Sequence, residues 1–256
     1  MILYLLEWLG RDKLIMSNDP IIIYKIGGSI MFFDSTYILV LIGMGIVMFA
    51  QHRVTSTFAQ FNSVEVSNGM TGRDIALAIL RHSGIHDVTV EHINGNLTDH
   101  YDPRNKVLRL SDATYNSDSI AAVAVAAHEC GHAVQHAQNY HFLKVRSFLA
   151  PLTQIGSTIA MPMIFIGLML SWMGLVTFGI IAFSLVLVFQ VVTLPVEFDA
   201  SKRALAILEQ GGFILTSEVP SAKKVLNAAA FTYIAATLST ALQLLRLILI
   251  SNRRRD

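Results

Sequence analysis

The residues best suited to chemistry form the run His128-Glu129-Cys130-Gly131-His132. The two histidines are four residues apart, so in a helix they lie on one face, about 6 Å apart along the axis. Both imidazoles can then bind one Zn²⁺ at about 2.0–2.1 Å. Glu129 follows the first ligand and would point to the open side of the metal, where it could accept a proton from zinc-bound water. The run is therefore the H-E-x-x-H signature of zincins.

The residues before this run indicate a helix that can hold it. Ile120 to Ala127 is an apolar, alanine-rich stretch, and Ser117 or Asp118 can cap its start. Small side chains let such a helix pack closely around a site. Two histidines and a carboxylate would be costly to bury there without a metal, so a zinc-binding helix is favoured over a purely structural one.

A third protein ligand must come from elsewhere, because catalytic zinc usually has three protein ligands and a water. The metzincin pattern would place a third histidine at position 138, which is Gln138, so that pattern is rejected. His136 and His141 are nearby alternatives. Glu197 is preferred, because it is the first charged residue after a long uncharged stretch and can lie at the membrane boundary.

The composition is typical of an integral membrane protein with one modest water-facing domain. Of 256 residues, 53% are hydrophobic and only 14% are charged, against roughly 25% charged in soluble domains. A net charge of +1 argues against nucleic-acid binding. The single cysteine excludes an intrachain disulfide. The lipid bilayer is thus an expected partner, and the sequence indicates neither a protein partner nor an oligomeric state.

An uncharged stretch separates Arg146 from Glu197 and is long enough for two membrane spans. The turn between the spans is expected at Ser171 to Gly174. An even number of crossings returns the chain to the side that it left. Glu197 and His128 are therefore expected in the same compartment.

Charged residues at the helix ends bear on the orientation of the protein in the membrane and on whether its last apolar segment crosses the bilayer. His52 and Arg53 close the first apolar segment, which favours a cytoplasmic end there and a cytoplasmic active site. Ala228 to Ile250 is apolar enough to span, although Arg246 interrupts it. A crossing would put Arg253 to Arg255 outside, against the positive-inside tendency, so a span and an interfacial helix both remain open.

A small β-sheet is expected before the zinc-binding helix. Thr71 and Asp74 form a capping box that predicts a short helix ending near Ser83. Val88 to Ile93 and Lys106 to Leu110 then alternate like strands. In zincins such a sheet provides the edge strand that pairs with an extended substrate.

Together these patterns predict a mainly α-helical integral membrane protein. It has a zincin-like catalytic domain, with a small β-sheet and a zinc-binding helix, and three or four transmembrane helices. The expected segments are a peripheral or spurious N-terminal extension (1–31), transmembrane helix 1 (32–52), the catalytic domain (53–146), a transmembrane hairpin (147–194), a third-ligand helix with a connecting segment (195–226), and an apolar helix with a basic tail (227–256).

From about Phe32 to the C-terminal region the chain resembles the YugP-type neutral zinc metallopeptidases of bacteria. The residues that carry the resemblance are Leu97 to Arg104, Leu108 to Ser111, the H-E-x-x-H run and Pro195 to Ala200. More distantly, the chain is similar to the heat-shock and prenyl-protein membrane zinc proteases, whose zinc is held by two histidines and a later glutamate. The resemblance implies Glu197 as the third ligand and the bacterial plasma membrane as the location. Ser201 stands where that group has an aspartate, so it is the candidate to support a ligand.

The predicted function is a membrane-bound zinc metalloendopeptidase that hydrolyses peptide bonds in a peptide or protein substrate, with Glu129 as the general base. Candidates for substrate contact or oxyanion stabilisation are His100, Tyr101 and Tyr233. A catalytically silent zinc-containing membrane scaffold is one alternative. An intramembrane-cleaving zinc protease is another, disfavoured because the apolar run before the motif is short.

Overall fold

The computed structural model describes residues 13–14, 22–26, 29–33 and 35–253. This part of the chain contains six helices and two small three-stranded sheets, which confirms the predicted fold class. Four of its helices are long and apolar enough to cross a membrane, and large apolar side chains such as Phe148, Phe165 and Ile181 are exposed on them. The protein is therefore a membrane protein.

The elements are numbered in chain order. The helices are α1 (Tyr37–Asn62), α2 (Gly72–His82), α3 (Ile120–Ala137), α4 (His141–Met169), α5 (Met173–Gln210) and α6 (Val219–Arg253), of which α1, α4, α5 and α6 are the candidate spans. The strands are β1 (Lys13–Leu14), β2 (Ile22–Ile26), β3 (Ser29–Phe33), β4 (Thr89–Ile93), β5 (His100–Asp102) and β6 (Val107–Ser111).

The predicted N-terminal extension, residues 1–31, lies mostly outside the described residues. Only the backbone of β1, β2 and β3 is described there, as an antiparallel sheet in that order. The prediction that this segment is peripheral or spurious stays a prediction.

Helix α1 differs at both ends from the predicted span over 32–52. It begins at Tyr37, because Phe32 and Phe33 belong to β3 and a turn at Ser35 and Thr36 separates the two elements. It continues to Asn62, because the polar residues after position 52 include no glycine or proline that would end a helix. Hydropathy located the membrane segment and not the helix boundaries.

Helices α4 and α5 form the predicted hairpin. Leu170 to Trp172 join them, so the turn lies slightly before the expected Ser171 to Gly174, because Met173 and Gly174 already belong to α5. The expected new helix at Pro195 is wrong, because α5 continues through this proline to Gln210. A proline removes one backbone donor, a loss that helices packed in membranes tolerate. One continuous helix therefore connects the membrane span to Glu197.

Helix α3 lies at the centre of the catalytic domain and is buried over most of its length. It packs against α2, β5 and β6 and also against α5 and α6. Its N-cap is Ser119, whose Oγ accepts the Ala122 N–H at 3.1 Å, and not Ser117 or Asp118 as predicted. Ser117 instead supports the cap, since its Oγ donates to the Ser119 Oγ at 3.0 Å.

The sheet beside α3 has the order β4-β6-β5, with β4 parallel and β5 antiparallel to the central β6. Leu108 and Leu110 of β6 are fully buried. The capping box of Thr71 and Asp74 begins α2 as predicted. Because β5 is an edge strand, one side of its backbone is available to the site described next.

Candidate metal centre

The structure brings Glu197, and neither His136 nor His141, to the two motif histidines. The His128 Nε2 and the His132 Nε2 lie 3.2 Å and 3.5 Å from the same Glu197 Oε2. In a tetrahedral site with bonds of about 2.0–2.1 Å, two ligand atoms are about 3.3–3.4 Å apart. The three side chains therefore fit one zinc ion, and they form the candidate metal group found within the described residues.

The burial of Glu197 agrees with such a centre. Its side chain is 2% exposed, and a buried carboxylate is costly unless positive charge compensates it. One carboxylate oxygen faces the histidines, and the other lies 3.3 Å from Arg146 Nη1 on α4. A divalent cation on the histidine side and a guanidinium on the other would together satisfy both oxygens.

The Nδ1 atoms of both imidazoles contact side chains of α5 and α3. The His128 Nδ1 lies 3.1 Å from the Ser201 Oγ, the residue that the resemblance singled out. The His132 Nδ1 lies 3.1 Å from the Gln135 Oε1, an atom that can only accept, so Nδ1 carries the proton. Both rings are thereby fixed with Nε2 turned toward Glu197, as metal-ligating histidines require.

Gln135 was missed by the sequence analysis and has the larger structural role of the two supporting residues. It is fully buried, and its Nε2 donates to the Val196 carbonyl and to Asp199 Oδ2, each at 2.8 Å. It therefore links a ligand on α3 to the backbone beside the ligand on α5. The available signal was its position three residues after His132, on the same face of a buried helix.

Replacing Gln135 with leucine should weaken zinc binding by about 10–100-fold, the usual effect of losing a hydrogen bond that orients a metal-ligating histidine. A chelator competition measures the change. Gln60→Leu, at an exposed position of α1, is the matched control and should leave zinc affinity unchanged. Equal zinc affinity in the two variants would show that Gln135 does not orient His132.

Glu129 lies beside the metal group without belonging to it. Its Oε2 accepts the backbone N–H of Tyr101 at 2.9 Å, so β5 fixes the direction of the carboxylate. Glu129, His132 and Glu197 all line one cavity of about 300 Å³. A carboxylate placed next to the ligands and open to the cavity is suited to move protons.

The three predicted contact residues, His100, Tyr101 and Tyr233, all line this cavity, but their polar atoms differ in availability. The Tyr101 hydroxyl lies 2.9 Å from the His136 Nδ1, and burial raises the pKa of Tyr101 to about 12. His100 has the Thr98 carbonyl 2.9 Å from Nδ1 and an Arg109 nitrogen 3.4 Å from Nε2. Tyr101 therefore contributes to the site through its backbone N–H, which donates to Glu129.

Two residues of the motif itself explain how α3 packs. A Cβ on Gly131 would lie 2.5 Å from the Ala200 carbonyl oxygen, so the backbones of α3 and α5 are in contact there. Cys130 is fully buried, with its Sγ 3.7 Å from the Ala76 carbonyl of α2, and burial raises the pKa of its thiol. Cys130 is a packing residue, and Gly131 lets α5 bring Glu197 to the histidines.

Comparison with known proteins agrees with this site. The family described as "putative neutral zinc metallopeptidase" matches residues 36–252, a range that holds the metal group and Glu129. "Putative membrane protease YugP" of Bacillus subtilis (strain 168) is 44% identical over 219 residues, which cover 85% of this chain and 97% of the relative. No solved structure matches the chain. The chain therefore belongs to this family of neutral zinc metallopeptidases.

Proposed function

We propose that the protein is a membrane-bound zinc metalloendopeptidase with Glu129 as its general base. The observation that carries the proposal is one cavity lined by two members of the metal group, His132 and Glu197, and by the separate, oriented carboxylate of Glu129. The family and the relative both support zinc-dependent proteolysis.

In this mechanism His128, His132 and Glu197 hold the zinc. When bound, the metal lowers the pKa of a water to near 7 and polarises the substrate carbonyl. Glu129 accepts a proton from the attacking water and later gives it to the nitrogen of the departing amine. The hydrogen bond from the Tyr101 N–H keeps the Glu129 carboxylate aimed at the cavity through both transfers.

The substrate would bind as an extended strand along β5. On one side β5 pairs with β6, whereas the Tyr101 N–H points to Glu129 in the cavity. Because Glu129 already accepts the Tyr101 N–H, a peptide along this open edge would donate a backbone N–H to the Tyr101 carbonyl, a contact that does not depend on the peptide's sequence. Its carbonyl would then lie beside the metal group.

For the oxyanion we propose Tyr233 of α6, with Arg146 supplying positive charge. Both line the cavity and both interact with the Glu197 carboxylate beside the metal group, whereas the hydroxyl of Tyr101 and the ring of His100 are engaged with residues outside that group. A donor aimed at the position where charge develops lowers the barrier more than it strengthens substrate binding.

The silent-scaffold alternative is less well supported. A structural zinc site is usually closed by four protein ligands, whereas the candidate group in the described part of the chain has three. The remaining coordination position would be open to the cavity, as a hydrolytic centre requires.

We place the active site on the cytoplasmic side. Seven lysine and arginine residues flank the membrane helices on the side of the catalytic domain, against Arg253 to Arg255 at the far end of α6, and this difference favours a cytoplasmic location for the catalytic domain. The residues concerned on the domain side are Arg53, Lys144, Arg146, Lys202, Arg203, Lys223 and Lys224.

Metal removal and restoration test the proposed activity. The detergent-solubilised protein is stripped with a chelator and assayed with a dye-labelled unfolded protein as substrate. Hydrolysis should disappear with the zinc and return as bound zinc approaches one per chain. Full re-binding of zinc without hydrolysis would favour the scaffold, and hydrolysis by the stripped protein would exclude zinc catalysis.

A further inference from the structure

The metal group lies at the boundary between the membrane hairpin and the catalytic domain. Arg146 is the last charged residue before the uncharged stretch, Glu197 is the first one after it, and the two side chains meet at 3.3 Å. From Ser147 to Met169, α4 extends about 34 Å at 1.5 Å per residue, close to the hydrocarbon thickness of about 30 Å. The ligands are therefore level with the bilayer surface.

The catalytic cavity extends across this boundary. Its polar end contains Glu129, His132 and His100. Its other end contains Ala150 and Phe189, which both belong to the uncharged hairpin. Phe189 precedes Glu197 by eight residues of α5, or about 12 Å along the helix axis. One end of the cavity is thus at the depth of lipid.

The wall at that depth is formed by membrane helices. Helix α5 packs against both α4 and α6, and the cavity is lined by Ala150 of α4, Phe189 of α5 and Tyr233 of α6. Ser147 and Ala150, which line the cavity on α4, are exposed. A chain lying in the membrane beside α4 can therefore reach the cavity from the side.

We propose that the substrates are membrane-anchored polypeptides, cut at a peptide bond within a few residues of the end of a transmembrane segment. The membrane-side flank of the substrate occupies the end of the cavity at Ala150 and Phe189, and the exposed flank pairs with β5. This inference rests on the proposed peptidase activity and names its substrate class. Anchoring raises the local concentration of the bond at the bilayer surface, where a free soluble chain has no such advantage.

Site-directed cross-linking tests the location of the flank without requiring hydrolysis. Ala150→Cys is introduced into the Glu129→Gln protein in liposomes, and its thiol is the reactive one because Cys130 is fully buried. The probes are single-span peptides, each with one cysteine about 1, 5 or 15 residues beyond the span. Cross-linking should be at least tenfold stronger at the nearest position. Phe148→Cys, exposed on the same helix but outside the cavity lining, is the matched control and should show no such preference.

Cleavage of the same peptides by the unaltered protein gives the second measurement. The anchored segment should be cut at least tenfold faster than the same segment without its span, close to the membrane end. Equal cleavage of the free segment, or cross-linking independent of position, would overturn the inference and leave the peptidase proposal intact. Position-dependent cross-linking without any cleavage would support the binding geometry and contradict the proposed activity.

Discussion

The Glu197→Ala protein is expected to lose most of its zinc and all measurable peptide hydrolysis. The Glu197 Oε2 lies 3.2 Å and 3.5 Å from the two histidine Nε2 atoms and completes the candidate metal group, so its removal leaves two protein ligands. The effect should exceed the about 10–100-fold loss expected for residues that only orient a ligand. The substitution also removes the partner of Arg146. Metal analysis of the purified protein and a hydrolysis assay measure the two losses.

Glu209→Ala is the matched control, because Glu209 is an exposed carboxylate near the end of the same helix. It should retain wild-type zinc and hydrolysis. One tightly bound zinc per chain in Glu197→Ala would mean that another residue completes the site, with His136 as the first to examine.

Gly131→Ala is expected to lower both zinc affinity and stability, although it adds only one methyl group. The Cβ added at position 131 would lie 2.5 Å from the Ala200 carbonyl oxygen and 3.1 Å from two other backbone atoms of Ala200. Backbone atoms cannot rotate away as a side chain can, so α3 and α5 must separate. Overpacking of this kind costs about 1–3 kcal/mol. It also moves Glu197 away from the histidines, so zinc affinity should fall at least tenfold.

Gly45→Ala is the control for a glycine-to-alanine change in a helix. No atom lies within 4 Å of the Cβ that it would add on α1, so zinc affinity should stay at the wild-type value, and the temperature of thermal unfolding should not fall, because alanine is the better helix former. Wild-type zinc affinity in Gly131→Ala would show that the contact between α3 and α5 does not set the position of the third ligand.

The parts of the site that depend on local sequence could be predicted. The spacing of His128 and His132 determines that both lie on one face of α3, and the capping box of Thr71 and Asp74 begins α2 through contacts within four residues. Glu197 was found from a pattern of charge, because a carboxylate beside a long uncharged stretch must lie near a membrane boundary. The resemblance implied the same residue.

The parts that depend on packing between distant segments could not be predicted. Gln135 supports His132 only because α5 places the Val196 carbonyl and Asp199 opposite it. The Tyr101 N–H reaches Glu129 only because the sheet order leaves β5 at the edge beside α3. Arg146 had a usable signal, since it and Glu197 are the charges that bracket the hairpin. The two meet because the hairpin folds back on itself.

Helix boundaries were the least accurate part of the sequence analysis. Pro195 is often a helix start, but in α5 it lies within a continuous helix, where membrane packing offsets its missing donor. Similarly, α1 continues beyond Arg53 to Asn62 because leaving the bilayer does not itself end a helix. The continuity of α5 connects the membrane span directly to Glu197.

The measurement that tests the central claim most directly is zinc content and peptide hydrolysis in the same sample of Glu129→Gln. Glutamine preserves the shape of the side chain and can still accept the Tyr101 N–H, but it cannot take a proton from water. Zinc should remain at one per chain, while hydrolysis falls by about 10²–10⁴-fold, the range for loss of a general base. Hydrolysis at the wild-type rate by zinc-loaded Glu129→Gln would contradict the role of Glu129 and the mechanism built on it.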